Sequence, residues 1–330
     1  MKFTEETAVF HYDCDAMSGV LARPEMPGAL GVVVVVGGPQ YRAGSHRQFV
    51  LLSRALAAAG YAVLRFDCRG MGDSEGASRD FLNVSPDIAA AIDLLQARVP
   101  EIRQVALWGL CDGASAALLY CFDAQDARVT GLYLLNPWIR NEASLARTHI
   151  RHYYLQRLMQ RDFWSKAMLG GVSWKALSGL FRNLFITLSS AIQRMVIRPL
   201  LRHPMNPIHP NYQQRMALAW SRFGGAIYLM LSSDDYTAKE FMEHASTHND
   251  WQTAMQSSRW VRHDLMGCDH TFSSAASRAQ VEQLTLAGLA RDTAQTSPQA
   301  RYEHTSNPLD ESPSVSPASR PSVDGRMGPA

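Results

Sequence analysis

Gly109-Leu110-Cys111-Asp112-Gly113 places a cysteine between two glycines where a strand gives way to a helix. Val105-Ala106-Leu107-Trp108 before it reads as a short buried strand, and Ala114-Ser115-Ala116-Ala117-Leu118-Leu119-Tyr120 after it as a small-residue helix. A turn of this kind is a nucleophile elbow, usually written G-x-S-x-G, here with Cys111 in the central place. A thiol at a helix N-terminus has its thiolate favoured by the positive end of the helix dipole. The same residues also fit a small buried core cysteine in a tight turn.

Outward from the elbow, strands and helices alternate. Val32 to Val36 is a β-branched run suited to a strand covered on both faces. Ser45 and Gln48 have capping-box spacing, which predicts a helix from His46 to Ala59 closed by Gly60. Ala62 to Phe66 reads as a strand, Ser85-Pro86 opens a helix through Leu95, and Leu132 to Leu135 is another strand. The pattern stops near Asn136-Pro137-Trp138 and resumes at Ala226 to Leu231. Repeats of this length predict an α/β fold with a doubly wound, mostly parallel sheet and ligands at the carboxyl ends of its strands.

The intervening stretch differs in charge. Residues 140 to 222 hold thirteen Lys or Arg against two acids, Glu142 and Asp162, in a chain whose net charge is +2. Phe181, Leu184, Phe185, Leu188, Ile192, Met195 and Val196 recur at helical spacing, with Arg182, Arg194 and Arg198 off that face. The expected organisation is a first core segment at 1–139, an inserted basic helical cap at 140–222, a second core segment at 223–290, and a Pro- and Ser-rich disordered tail at 291–330. The cap's cations are either solvated or a surface for an anionic membrane or polyanion.

Composition narrows the classes. At 46% hydrophobic and 19% charged, the chain is globular and not basic overall, so no nucleic-acid partner is expected. Five scattered cysteines without a CxxC pair indicate neither a disulfide framework nor a zinc ribbon, and fit a reducing cytoplasm. The N-terminus lacks an apolar leader-like run, so an unexported, cytoplasmic protein is expected. His149 and His152 lie among basic residues without acids or thiols, and neither metal nor cofactor is expected. Gly70-Met71-Gly72-Asp73-Ser74-Glu75-Gly76 nearly matches G-x-G-x-x-G, but its third glycine comes one residue late.

An elbow nucleophile needs an acid and then a histidine further along the chain. Asp235, after the strand ending at Leu231, and His270, in Cys268-Asp269-His270-Thr271-Phe272, have that order. His270 is the candidate base and Asp235 the group that fixes its tautomer. Taken singly, Asp235 could be a solvated acid beside a Thr237/Glu240 capping box, and His270 a loop histidine. The backbone N–H groups of Asp112 and Gly38 are the candidate oxyanion donors, since Pro39 has none. Tyr41 and Arg42 are candidates to grip a carboxylate or phosphate, or are simply an exposed loop pair.

The strings GGPQYRAGSHRQF (37–49), RFDCRGMGDSEG (65–76), WGLCDGASAAL (108–118) and LLNPWIR (134–140) resemble the exosortase A system-associated hydrolase 1 family of the α/β-hydrolase superfamily, over roughly residues 1–290. The resemblance implies the α/β-hydrolase fold and a bacterial setting beside exopolysaccharide synthesis genes and the exosortase that processes C-terminally tagged exported proteins. It also favours Asp235 over Asp234 as the acid. Gly113 stands where close relatives are expected to carry alanine, a difference expected to leave the elbow undisturbed. Cysteine nucleophiles in this fold also resemble dienelactone hydrolase and the polyester synthases. The expected activity is therefore hydrolysis of an ester, thioester or lactone of a small-molecule or lipid-linked acyl substrate through a Cys111 thioester. Acyl transfer to a sugar hydroxyl and a degenerate, partner-binding hydrolase are the alternatives.

Overall fold

The computed structural model describes residues 1–38, 40–140, 210–256 and 259–296. Its eight strands are β1 (Phe3–Tyr12), β2 (Asp15–Pro24), β3 (Leu30–Val35), β4 (Val63–Phe66), β5 (Gln104–Leu110), β6 (Val129–Leu135), β7 (Ala226–Ser232) and β8 (Trp260–Leu265). They form one sheet in the order β1-β2-β4-β3-β5-β6-β7-β8. β2 runs antiparallel to both neighbours, and every other pair beyond it is parallel. Every residue of β3 and β4 is buried, which is why their sequences do not alternate.

Helices cover both faces. On one side α1 (Gln48–Ala58) and α7 (Ala275–Thr296) press Phe49, Leu52, Leu56, Val281 and Leu289 against Val32, Val34, Trp108 and Tyr133. On the other lie α2 (Ser85–Arg98), α3 (Asp112–Ala124), α4 (Tyr212–Arg222), α5 (Tyr236–Thr247) and α6 (Asn249–Ala254). There Trp220 of α4 sits edge-on to Trp251 and Trp260, with ring centroids 5.8 and 5.7 Å apart.

Several sequence expectations change. The β1–β2 hairpin was not anticipated, because β1 buries only Ala8 and Phe10 and its apolar signal is thin. The Ser45/Gln48 capping box does not form. Ser45–Arg47 is a single 3-10 turn, Arg47 has φ 59°, and α1 begins at Gln48 without a side-chain cap. The incoming loop is tied down elsewhere, through Gly44 N–H to the Tyr41 carbonyl and Phe49 N–H to that of Ala43, so tertiary contacts override the local signal. The glycines of 70–76 make tight turns and no helix follows until Ser85, so they do not build a dinucleotide loop.

Both outer boundaries shift as well. At the end of the expected cap, α4 is capped by an Asn211/Gln214 box and buries Met216, Ala217, Ala219 and Trp220 in the core. At the expected start of the tail, α7 continues past 291. Asp292 is buried and accepts hydrogen bonds from Tyr133 at 2.9 Å and Tyr228 at 2.8 Å, which fixes that last turn to the sheet. Residues 141–209, with the remaining expected cap, His149 and His152, and residues 297–330 lie outside the described residues. Among the described residues no helix is long and apolar enough to cross a membrane. No group of three metal-ligating side chains occurs among them either.

Candidate active site

β5 ends at Leu110 and α3 starts at Asp112, leaving Cys111 alone in the turn with φ 59° and ψ −123°. Such a backbone costs about 1–3 kcal/mol and persists only where surroundings dictate it. Here they do: Cys111 N–H donates to Leu135 O at 2.8 Å, and Cys111 O accepts from Ala114 at 3.1 Å and Trp138 at 3.2 Å. The flanking glycines are steric necessities. A Cβ on Gly109 would lie 2.5 Å from the Gly113 carbonyl, and one on Gly113 would run into the Val35 carbonyl oxygen. An alanine at 113 would therefore require the backbone around Val35 to shift, whereas with glycine there the elbow forms undisturbed.

Asp235 follows β7 and has two tasks. As N-cap of α5, its carboxylate accepts from the N–H groups of Thr237 at 3.0 Å and Ala238 at 3.3 Å. The oxygen bonded to Ala238 also lies 2.7 Å from His270 Nδ1. Glu240 makes no capping box with Thr237; it is paired with Arg140 at 2.8 Å. Asp234 is exposed and points elsewhere, meeting the Ser233 hydroxyl. His270 is hydrogen-bonded to Asp235 and neighbours Cys111, and the two together lift its pKa to about 10 against the effect of burial. The three side chains thus form one continuous chain of contacts.

Asn136 was missed by sequence reasoning beyond its place in the LLNPWIR string. Fully buried, with φ 44°, it donates to the His270 carbonyl at 3.1 Å and to Ser232 Oγ at 2.8 Å, and accepts from Ser232 N–H at 2.8 Å. It ties the ends of β6 and β7 to the histidine loop. The only available signal was an asparagine immediately after a strand and before proline.

Gly38 has φ 59°, a left-handed conformation that suits glycine, and its loop lies against the elbow. The side chain of Asp112 fills the space between them, its carboxylate set against the backbone of Gly37 and Gly38. Burial pushes its pKa up, opposed by the neighbouring backbone N–H groups of Gly38, Asp112 and Gly113. Tyr41 and Arg42 meet carboxylates of this chain. Tyr41 donates to Asp73 at 2.7 Å, while Arg42 pairs with buried Asp67 and with Asp73 at 2.8 Å. They clamp the Gly38 loop to the loop after β4.

The thiols are sharply differentiated. Cys68 and Cys121 are pushed up by burial, Cys121 to about 12; Cys268 is buried against the Ser277 hydroxyl; Cys14 is exposed. Iodoacetamide at pH 6 to 7 is accordingly expected to modify Cys111 first, with Cys14 second and the other three only after unfolding. Peptide mapping over time checks this; labelling of Cys14 ahead of Cys111 contradicts it.

A groove of about 980 Å³ lies at the opposite, amino ends of β6 to β8, lined among others by Phe122, Arg222, Phe223 and Arg259. It is remote from the elbow and shares none of its residues.

Residues 29–175 match the family model described as serine aminopeptidase, S33. Among solved structures, the Pyrococcus furiosus esterase Pf2001 is similar at 14% identity, with a TM-score of 0.57, over 88% of this chain and 92% of that one. DcsB in complex with its substrate analogue is similar at 15% identity and TM-score 0.56, over 89% of this chain and 100% of that one. Est1E from Butyrivibrio proteoclasticus, with ferulic acid bound, is similar at 14% and TM-score 0.53, over 86% and 99%. No curated protein matches the chain. The sheet order, the elbow at the carboxyl end of β5 and these neighbours give the chain the α/β-hydrolase fold.

Proposed function

We propose that this protein is a cysteine-dependent hydrolase of an ester, thioester or lactone, with Cys111 as nucleophile, His270 as acid and base, and Asp235 holding His270. The observation that carries the reading is one imidazole bonded to a buried carboxylate and set beside the elbow thiol. The thiol proton passes to His270 and the sulfur attacks the acyl carbon, giving a tetrahedral oxyanion. The carbon–oxygen or carbon–sulfur bond to the leaving group then breaks as His270 returns the proton to that group. His270 next takes a proton from water, whose oxygen attacks the thioester; the carbon–sulfur bond breaks as His270 returns that proton to the Cys111 sulfur, and the acid departs. The solved esterase and the ferulic acid complex support an ester-type substrate, and the family resemblance supports a setting in exopolysaccharide synthesis.

Intact mass after exposure to a panel of acyl thioesters tests the reading. A single acyl adduct, mapped to Cys111 and absent in Cys111→Ala, is expected; turnover without a Cys111 adduct, unchanged in Cys111→Ala, would overturn it.

The basic stretch 141–209 is proposed to rest on an anionic membrane, since each engaged cation contributes about 1 kcal/mol near such a surface. Co-sedimentation with anionic vesicles at low salt is expected, with release as ionic strength approaches physiological values. Equal binding to neutral vesicles would remove this proposal.

A further inference from the structure

The carboxylate of Asp112 belongs to no triad pair, yet it occupies the one place in the cleft that the reaction must vacate. The N–H groups of Gly38 and Asp112 are the donors a tetrahedral oxyanion would use, and that carboxylate lies against the Gly37-Gly38 backbone beside them, where they favour its charged form. The fit is close. A Cβ on Gly37 would collide with Asp112 Oδ1, and one on Gly38 would sit 3.5 Å from Oδ2, so the two glycines wrap the carboxylate with bare backbone. An anion held by convergent N–H groups is what the site offers a reacting carbonyl. The resting site therefore already contains an anion of its own.

We propose that Asp112 is a specificity residue: its side chain must leave the oxyanion hole for the substrate carbonyl, and the acyl groups favoured are those carrying a hydroxyl or ammonium donor one or two carbons from the carbonyl. A side-chain rotation is enough to vacate the hole, because the Asp112 N–H is fixed by the elbow and remains as a donor. The displaced carboxylate leaves the N–H groups that favour its charge and enters a half-buried cleft, where an unpartnered charge is unfavourable. His270 is close enough to attract it, but its ring is already engaged by Asp235 and Cys111. Arg42 is committed to Asp67 and Asp73. A donor on the acyl chain, beside the carbonyl that displaces the carboxylate, supplies the missing partner. A plain alkyl chain does not.

The inference rests on the acyl-enzyme reading above. Its test compares 3-hydroxybutyryl and butyryl thioesters of N-acetylcysteamine on the full chain, Asp112→Ala and Asp112→Asn, with thermal melts to confirm folding and intact mass to follow acylation. The full chain is expected to prefer the hydroxylated thioester by about 10-fold or more in kcat/KM. Asp112→Ala should bring that ratio close to one by gaining rate on butyryl, and Asp112→Asn, which keeps the shape without the charge, should fall between. Acylation of Cys111 with the same ratio in all three proteins, or a loss on both thioesters in Asp112→Ala, overturns this inference alone. Turnover without Cys111 acylation overturns the acyl-enzyme reading and this inference with it.

Discussion

Asp235→Asn is expected to lower kcat/KM on a reporter thioester by about 10²- to 10⁴-fold while leaving the melting temperature nearly unchanged. The two effects separate because Oδ1 alone takes the Thr237 N–H, while Oδ2, shared by Ala238 N–H and His270, holds the imidazole. An asparagine oxygen still accepts from Thr237 N–H, so α5 keeps its cap. That choice turns the amide NH2 toward His270 Nδ1, which must then be the unprotonated nitrogen. The proton sits on the far nitrogen, facing Cys111, and the ring can no longer accept from the thiol. The pH profile moves too. Asp235 is the foremost cause of the raised His270 pKa, so full-length protein should retain the protonated, leaving-group-assisting imidazolium until pH nears about 10. In the variant the alkaline fall should come at lower pH. Asp234→Asn should be mild on both counts, since that exposed side chain meets only the Ser233 hydroxyl. A crippled Asp234→Asn beside a nearly normal Asp235→Asn would reverse the assignment.

Trp220→Ala is expected to cost about 3–5 kcal/mol of stability, because the indole is 1% exposed and packed edge-on against Trp251 and Trp260. Its Nε1 has no hydrogen-bond partner. Trp220→Phe should accordingly be far milder, losing volume but also removing an unsatisfied buried donor. Chemical denaturation of the two variants measures the difference. A loss below about 1 kcal/mol for Trp220→Ala would mean that α4 is loosely attached, as a cap helix would be, and is not part of the core.

What the sequence made legible follows from how local each signal is. The elbow could be read because two glycines around a nucleophile, between an apolar strand and a small-residue helix, are forced by contacts within about one turn of chain. The order of nucleophile, acid and base was equally visible, since each follows a strand end. Asp235 and Asp234 could not be separated by local pattern, because only the capping geometry of α5 sends one inward. Tyr41 and Arg42 looked available for ligand, and their partners, Asp67 and Asp73, lie on a different loop. Asp112 was read as a backbone donor alone; that its own side chain reaches those donors depends on the path of the Gly37-Gly38 loop. The hairpin was lost because an edge pair exposes most of β1.

Asp235 and His270 are 35 residues apart, and the Asn136 clamp on the His270 loop reaches across 134. These closures cannot be made until β6, β7 and the start of α5 are all in register, and ring closures over such spans are entropically late events. Recovery of Cys111 reactivity during refolding would therefore act as an internal clock. It would report the moment when the two halves of the sheet have joined, after helix content has already returned.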